Sequence, residues 1–121
     1  MRSSYFYTIL GADGRPGYGI TSNIDSRARD YTSHQGRIAV MPKVWKGTPE
    51  HVASLENTFK RDKSNAWLVE SGTLESGTKT WSTEWMNDDW TMDMLIERIE
   101  ETIDYRFPQI ELAYTYYDIT D

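Results

Sequence analysis

Two short β-prone runs joined by a turn-dense segment, and followed at once by a helix cap, constrain this chain more than any other feature. Ser4–Leu10 (SYFYTIL) is aromatic, β-branched and short, which predicts a strand. The next seven residues, Gly11-Ala12-Asp13-Gly14-Arg15-Pro16-Gly17, are rich in turn formers, and Asp-Gly among them favours a positive φ. Tyr18–Thr21 then predicts the returning strand of an antiparallel hairpin. Ser22 or Asn23 is placed to cap a helix running to about His34, where Gly36 stops it. A chain that opens this way has its first sheet, its first helix and the step between them set within about 35 residues.

The rest can be read more coarsely. Arg37–Trp45 predicts a third strand, with Ile38 and Val40 alternating and Pro42 marking an edge strand or a break. Thr48-Pro49-Glu50 is a strong helix start: a capping hydroxyl, proline in the first turn, and an acid near the positive end. Val52, Leu55 and Phe59 follow at helical spacing, and the helix should end near Ser64-Asn65. Residues 66–90 show no clear period. Ser71-Gly72 and Ser76-Gly77 suggest turns, with Trp67, Trp81, Trp85 and Trp90 packed around them. A long helix over Thr91–Tyr105 follows from the stripe Met92, Leu95/Ile96, Ile99 and Ile103, and Pro108 ends it. Ile110, Leu112, Tyr114 and Tyr116 alternate, which reads as a last strand or a tail.

Charge divides the chain. Residues 1–63 hold ten Lys and Arg against six Asp and Glu, a balance of +4. Residues 64–121 hold three against thirteen, a balance of −10. A uniformly acidic protein would repel nucleic acid, but this one has a first half able to present a basic face. The acidic half is either a solvated surface or a face for a protein partner. No apolar run approaches the roughly 20 residues of a membrane span. With no cysteine there is no disulfide framework and no thiolate metal site. A cytoplasmic protein is the simple expectation. Two histidines, His34 and His51, are too few and too far apart to suggest zinc. Neither a phosphate-binding glycine loop nor a Gly-x-Ser-x-Gly elbow is present.

The first half resembles the GIY-YIG nuclease superfamily over about Ser4–Asn65. Tyr5-Phe6-Tyr7-Thr8-Ile9 is similar to the first motif, with Tyr7 on its tyrosine, and Gly17-Tyr18-Gly19 is similar to the second. Thr21, Asn23 and Arg27 fall on the Thr, Asn and Arg that commonly follow, and Glu56 falls on the helix that carries the family's metal-binding glutamate. Glu84-Trp85 is similar to the Glu-aromatic pair seen ahead of a final helix in the phage and mobile-element branch. Two departures stand out. Tyr5 and Phe6 replace the first motif's glycine and isoleucine. Gly17 stands where the second motif has its tyrosine, and the ring comes one place later, at Tyr18. Because strand side chains alternate, Tyr18 is expected on the face opposite Tyr7 unless a bulge intervenes.

The resemblance implies an α+β fold: a small three-stranded antiparallel or mixed sheet flanked by helices, with a C-terminal helix and an extra strand. One domain over 1–121 is expected, with a nuclease-like core at 4–65 and an acidic extension, 66–121, packed on it. The implied activity is metal-dependent hydrolysis of DNA phosphodiesters, in the host cytoplasm if the chain is phage-encoded. Tyr7, Arg27, Tyr31 and Glu56 would be catalytic, with Tyr18 and His34 as further candidates. Each residue type has a chemical reason. A lone carboxylate such as Glu56, completed by water and phosphate, suits Mg²⁺ or Mn²⁺. The Arg27 fork suits a phosphate. A tyrosine such as Tyr7 can position or deprotonate the attacking water. Arg27, Tyr31 and His34, at i, i+4 and i+7, share a helical stripe, although Tyr7 and Tyr31 also read as packing rings and His34 as a surface residue. DNA would meet the basic first half. The alternative is a catalytically degraded module of the same fold that binds nucleic acid or a protein.

Overall fold

In the computed structural model, residues 3–11, 14–28, 40–60, 66–73, 79–87 and 89–118 are described. The hairpin forms as its sequence requires. Strands β1 (Ser4–Leu10) and β2 (Pro16–Thr21) pair antiparallel without a break from Tyr5↔Thr21 to Leu10↔Pro16. Gly14 turns the chain at φ 83°, a conformation that strains any residue with a Cβ. The Gly14 amide donates to the Gly11 carbonyl at 3.0 Å and the Gly11 amide to the Arg15 carbonyl at 2.9 Å, closing the connection.

Helix α1, described over 24–28, starts directly after β2. Asn23 rather than Ser22 is its cap: the Asn23 Oδ1 accepts from the Ser26 amide at 3.0 Å. The Asn23 amide donates to the Thr21 hydroxyl at 3.2 Å, so the last residue of β2 also shapes the step into the helix.

Strand β3 (Val40–Gly47) is not the edge strand that Pro42 suggests, since β1 lies on one side of it and β6 (Glu111–Asp118) on the other. The proline is accommodated because the ladder to β1 ends at Tyr7↔Val44, and β6 pairs Met41 and Lys43 on either side of it. The Thr8 hydroxyl takes over where that ladder stops. It accepts from the Lys43 amide and donates to the Lys43 carbonyl, both at 3.0 Å.

Helix α2 (Pro49–Lys60) begins at the expected cap, with the His51 amide donating to the Thr48 hydroxyl at 3.2 Å. Its expected end near residue 65 lies outside the described residues. Helix α3 (Met92–Arg106) is capped by Thr91, whose hydroxyl accepts from the Met94 amide at 3.2 Å, and it stops just before Phe107-Pro108.

The largest departure is in the sheet. It has six strands, in the order β4-β5-β2-β1-β3-β6, all antiparallel; the expected three and the expected C-terminal strand (β6) are joined by two more. Residues 66–86 supply β4 (Ala66–Thr73) and β5 (Lys79–Met86). Ser71-Gly72, expected as a turn, lies inside β4, where pairing with β5 overrides the local preference and leaves only a register shift at Gly72/Thr73. Ser76-Gly77 falls outside the described residues. The second half of the chain is thus not an appendage on a finished sheet. β5 covers the open edge of β2 and β6 that of β3, satisfying backbone groups that a three-stranded sheet would leave bare.

Each face of this sheet has its own core. On one side Phe6, Tyr18 and Trp45 meet Val52 and Leu55 of α2 and Leu95 of α3. On the other, Tyr7, Ile9, Val44 and Trp85 meet Ile24 and Ala28 of α1. Full burial of each large apolar side chain is worth about 1.5–3 kcal/mol, so both layers contribute to holding the sheet.

Candidate functional site

Strand alternation sends Tyr5, Tyr7 and Ile9 toward α1 and sends Phe6 to the opposite face. The cap at Asn23 sets the phase of α1. Ile24 and Ala28 then face the sheet, and Arg27 is carried in with them, only 4% exposed. The Arg27 Nε donates to the Tyr7 hydroxyl at 3.1 Å. Residues 20 positions apart, picked out by motif spacing alone, therefore form a buried polar pair. Tyr7 itself is 0% exposed. The bond uses Nε, so the phenol fixes the plane of the guanidinium rather than meeting its terminal fork.

The remaining candidates are distributed differently. Tyr18 is on the other face, as the one-residue offset predicts, and no bulge interrupts the β1–β2 register. Its ring stacks on Phe6, centroids 5.5 Å apart and planes 12° apart, and also meets Phe59 at 5.5 Å. That is a packing role. Glu56 is buried, at 6% exposure, on α2, whose neighbouring Val52 and Leu55 pack on the Phe6–Tyr18 face. The helix bearing Glu56 and the helix bearing Arg27 therefore lie in different layers. Tyr31 and His34 lie outside the described residues.

A hard divalent ion acting on phosphate needs coordination positions open to water and substrate. Glu56 sits beside Leu55 on α2 at 6% exposure. Among the described residues, no group of three or more His, Asp or Glu is placed to hold a metal.

The charge division seen in the sequence is partly cancelled by packing. Lys43 of the basic half forms a 2.9 Å ion pair with Glu100 of α3. The outer side of α3 exposes Asp93, Glu97, Glu101 and Asp104, with Met94 46% and Tyr105 89% exposed among them. Among the described residues, no helix is long and apolar enough to cross a membrane.

Two contributors escaped the sequence reading. Thr8, which mends the β1–β3 ladder, has no signal short of the register itself. Trp85, placed among turn-packing tryptophans, is instead a core residue of the α1 face, 6% exposed, on the strand that pairs with β2. The pairing Gly17↔Trp85 would have shown it. Compared with known proteins, the chain matches no family model, no curated protein and no solved structure, so the resemblance to GIY-YIG nucleases rests on the quoted residues alone.

Proposed function

We propose that this chain is a binding module on a GIY-YIG-like core that has lost the cleavage chemistry, and that it engages a protein partner. The carrying observation is the closure of Tyr7, at 0% exposure with its hydroxyl bonded to Arg27. A group that positions water at a phosphate must come within hydrogen-bond reach of it, directly or through one water. The arrangement of the other candidates supports the same reading: Tyr18 is committed to stacking, and Glu56 belongs to the helix of the other layer. The exposed face of α3, acidic with Met94 and Tyr105 among the charges, suits a basic polypeptide better than a polyphosphate.

The test is incubation with supercoiled plasmid in Mg²⁺ or Mn²⁺, with a chelator control. The expected outcome is no nicking above background. Nicking that the chelator abolishes, and that Glu56→Ala and Arg27→Ala each lower by about 10²–10³-fold, would overturn the proposal.

A second reading is favoured by one observation. Arg27 does meet Tyr7, as an active-site pair would, which keeps a Mg²⁺- or Mn²⁺-dependent DNA endonuclease as the alternative. On that reading Glu56 would hold the ion, and DNA would approach the α1 side, away from the acidic α3. Binding would then fall steeply with salt.

A further inference from the structure

The middle of β2 carries two glycines, Gly17 and Gly19, in a strand bonded on both sides. Glycine weakens a strand interior and is found there where something must approach closely. Backbone conformation does not require either one, since the described glycine with a positive φ is Gly14 in the turn. What a glycine offers at either position is room beside the strand.

The register shows what takes that room. Gly17 lies between Ile9 of β1 and Trp85 of β5, and Gly19 between Tyr7 and Thr83. β5 and β1 are two strand spacings apart, about 9.6 Å. Yet Trp85 is buried in one cluster with Ile9 and Tyr7. An indole reaches across an intervening strand when the residue beneath it has no side chain, the cross-strand packing by which an aromatic ring covers a glycine.

We propose that the Trp85 ring lies across Gly17, fills the space that a side chain at position 17 would occupy, and seals the Tyr7–Arg27 pair from solvent. The proposal deepens the binding-module reading, on which that pair is a closed site. Trp85 acts through Tyr7 and is a positioning residue. It also accounts for the departure at position 17: a tyrosine there and a tryptophan at 85 compete for one volume.

A double-substitution cycle tests it. Gly17→Ala alone should lower the Tm by about 3–10 °C, because the new methyl meets the indole. In a Trp85→Ala background the same change should be neutral or raise the Tm, as Gly→Ala does where φ permits and space is open. An equal drop in both backgrounds overturns the proposal. If Trp85→Ala does not fold, the cycle is run on Trp85→Leu, with the same two outcomes deciding. A second readout separates sealing from general stability. Nitration by tetranitromethane, mapped by peptide mass, should leave Tyr7 protected in the native protein and at least about tenfold more reactive in folded Trp85→Ala or Trp85→Leu, with protection restored in Trp85→Phe. Unchanged protection in the folded variant refutes the seal. Plasmid nicking by the unmodified protein would refute the binding-module reading while leaving the cycle's outcome intact, so the two failures are distinguishable.

Discussion

Phe6 and Tyr7 are consecutive residues of β1, both 0% exposed, and they serve two different kinds of interior. Phe6 belongs to the layer under α2 and α3, where it contacts Tyr18, Trp45 and Phe59 by ring packing. Tyr7 belongs to the layer under α1, where a guanidinium and a phenol are buried together. The first layer is stabilised by volume and is tolerant of chemistry only within apolar limits. The second contains a polar pair whose members are costly to leave alone in a low-dielectric interior. One face of a strand pair can thus be read as core by pattern alone, while its reverse buries a polar pair.

The comparison can be broken most directly at Phe6. Phe6→Ala should cost about 3–5 kcal/mol in urea unfolding, since three rings lose their common neighbour and the cavity cannot fully collapse. A loss below about 1 kcal/mol would mean that the α2–α3 layer is not packed as described. Next in size is the polar pair. Tyr7→Phe and Arg27→Met should each cost about 1–3 kcal/mol because each removes a buried hydrogen bond, whereas the double variant should cost clearly less than the two together. Additive losses would show that the bond carries no coupling, and the contrast between the faces would then reduce to volume on both.

Thr8→Val should cost about 1–2 kcal/mol, leaving the Lys43 amide and carbonyl without the hydroxyl that serves both. Hydrogen exchange at the Lys43 amide should rise locally, and exchange as slow as in the parent would contradict that role. The smallest effect is expected at the surface ion pair. Glu100→Gln should change stability by no more than about 1 kcal/mol, and the difference should shrink in high salt because both partners reach solvent. A larger, salt-independent effect would show that the join between the basic half and α3 is more than a surface contact.

Much of the first half was legible in the chain. The β1–β2 hairpin, the cap at Thr48, the opposite facing of Tyr7 and Tyr18 and, later in the chain, the buried stripe of α3 all follow from local chemistry and strand alternation. The meeting of Arg27 with Tyr7 had its signal in the motif spacing, and the short step from β2 to the capped helix is what brings the two together. The strands at 66–86 were not. Their serines, glycines and scattered tryptophans carry no period, and what makes them strands is the offer of an open edge on β2.

The amino-acid sequence by itself determined where the first hairpin turns, where the helices begin, and which side chains of β1 and β2 share a face, since these depend on dihedral preference and a two-residue period. The tertiary structure decided that the sheet is six strands wide, that Glu56 and Arg27 ride in different layers, and that Trp85 comes to Gly17 from 68 positions away. Those outcomes depend on which edges and faces remain open once the hairpin has formed, and that competition is between distant segments, with no trace in the local sequence of either one.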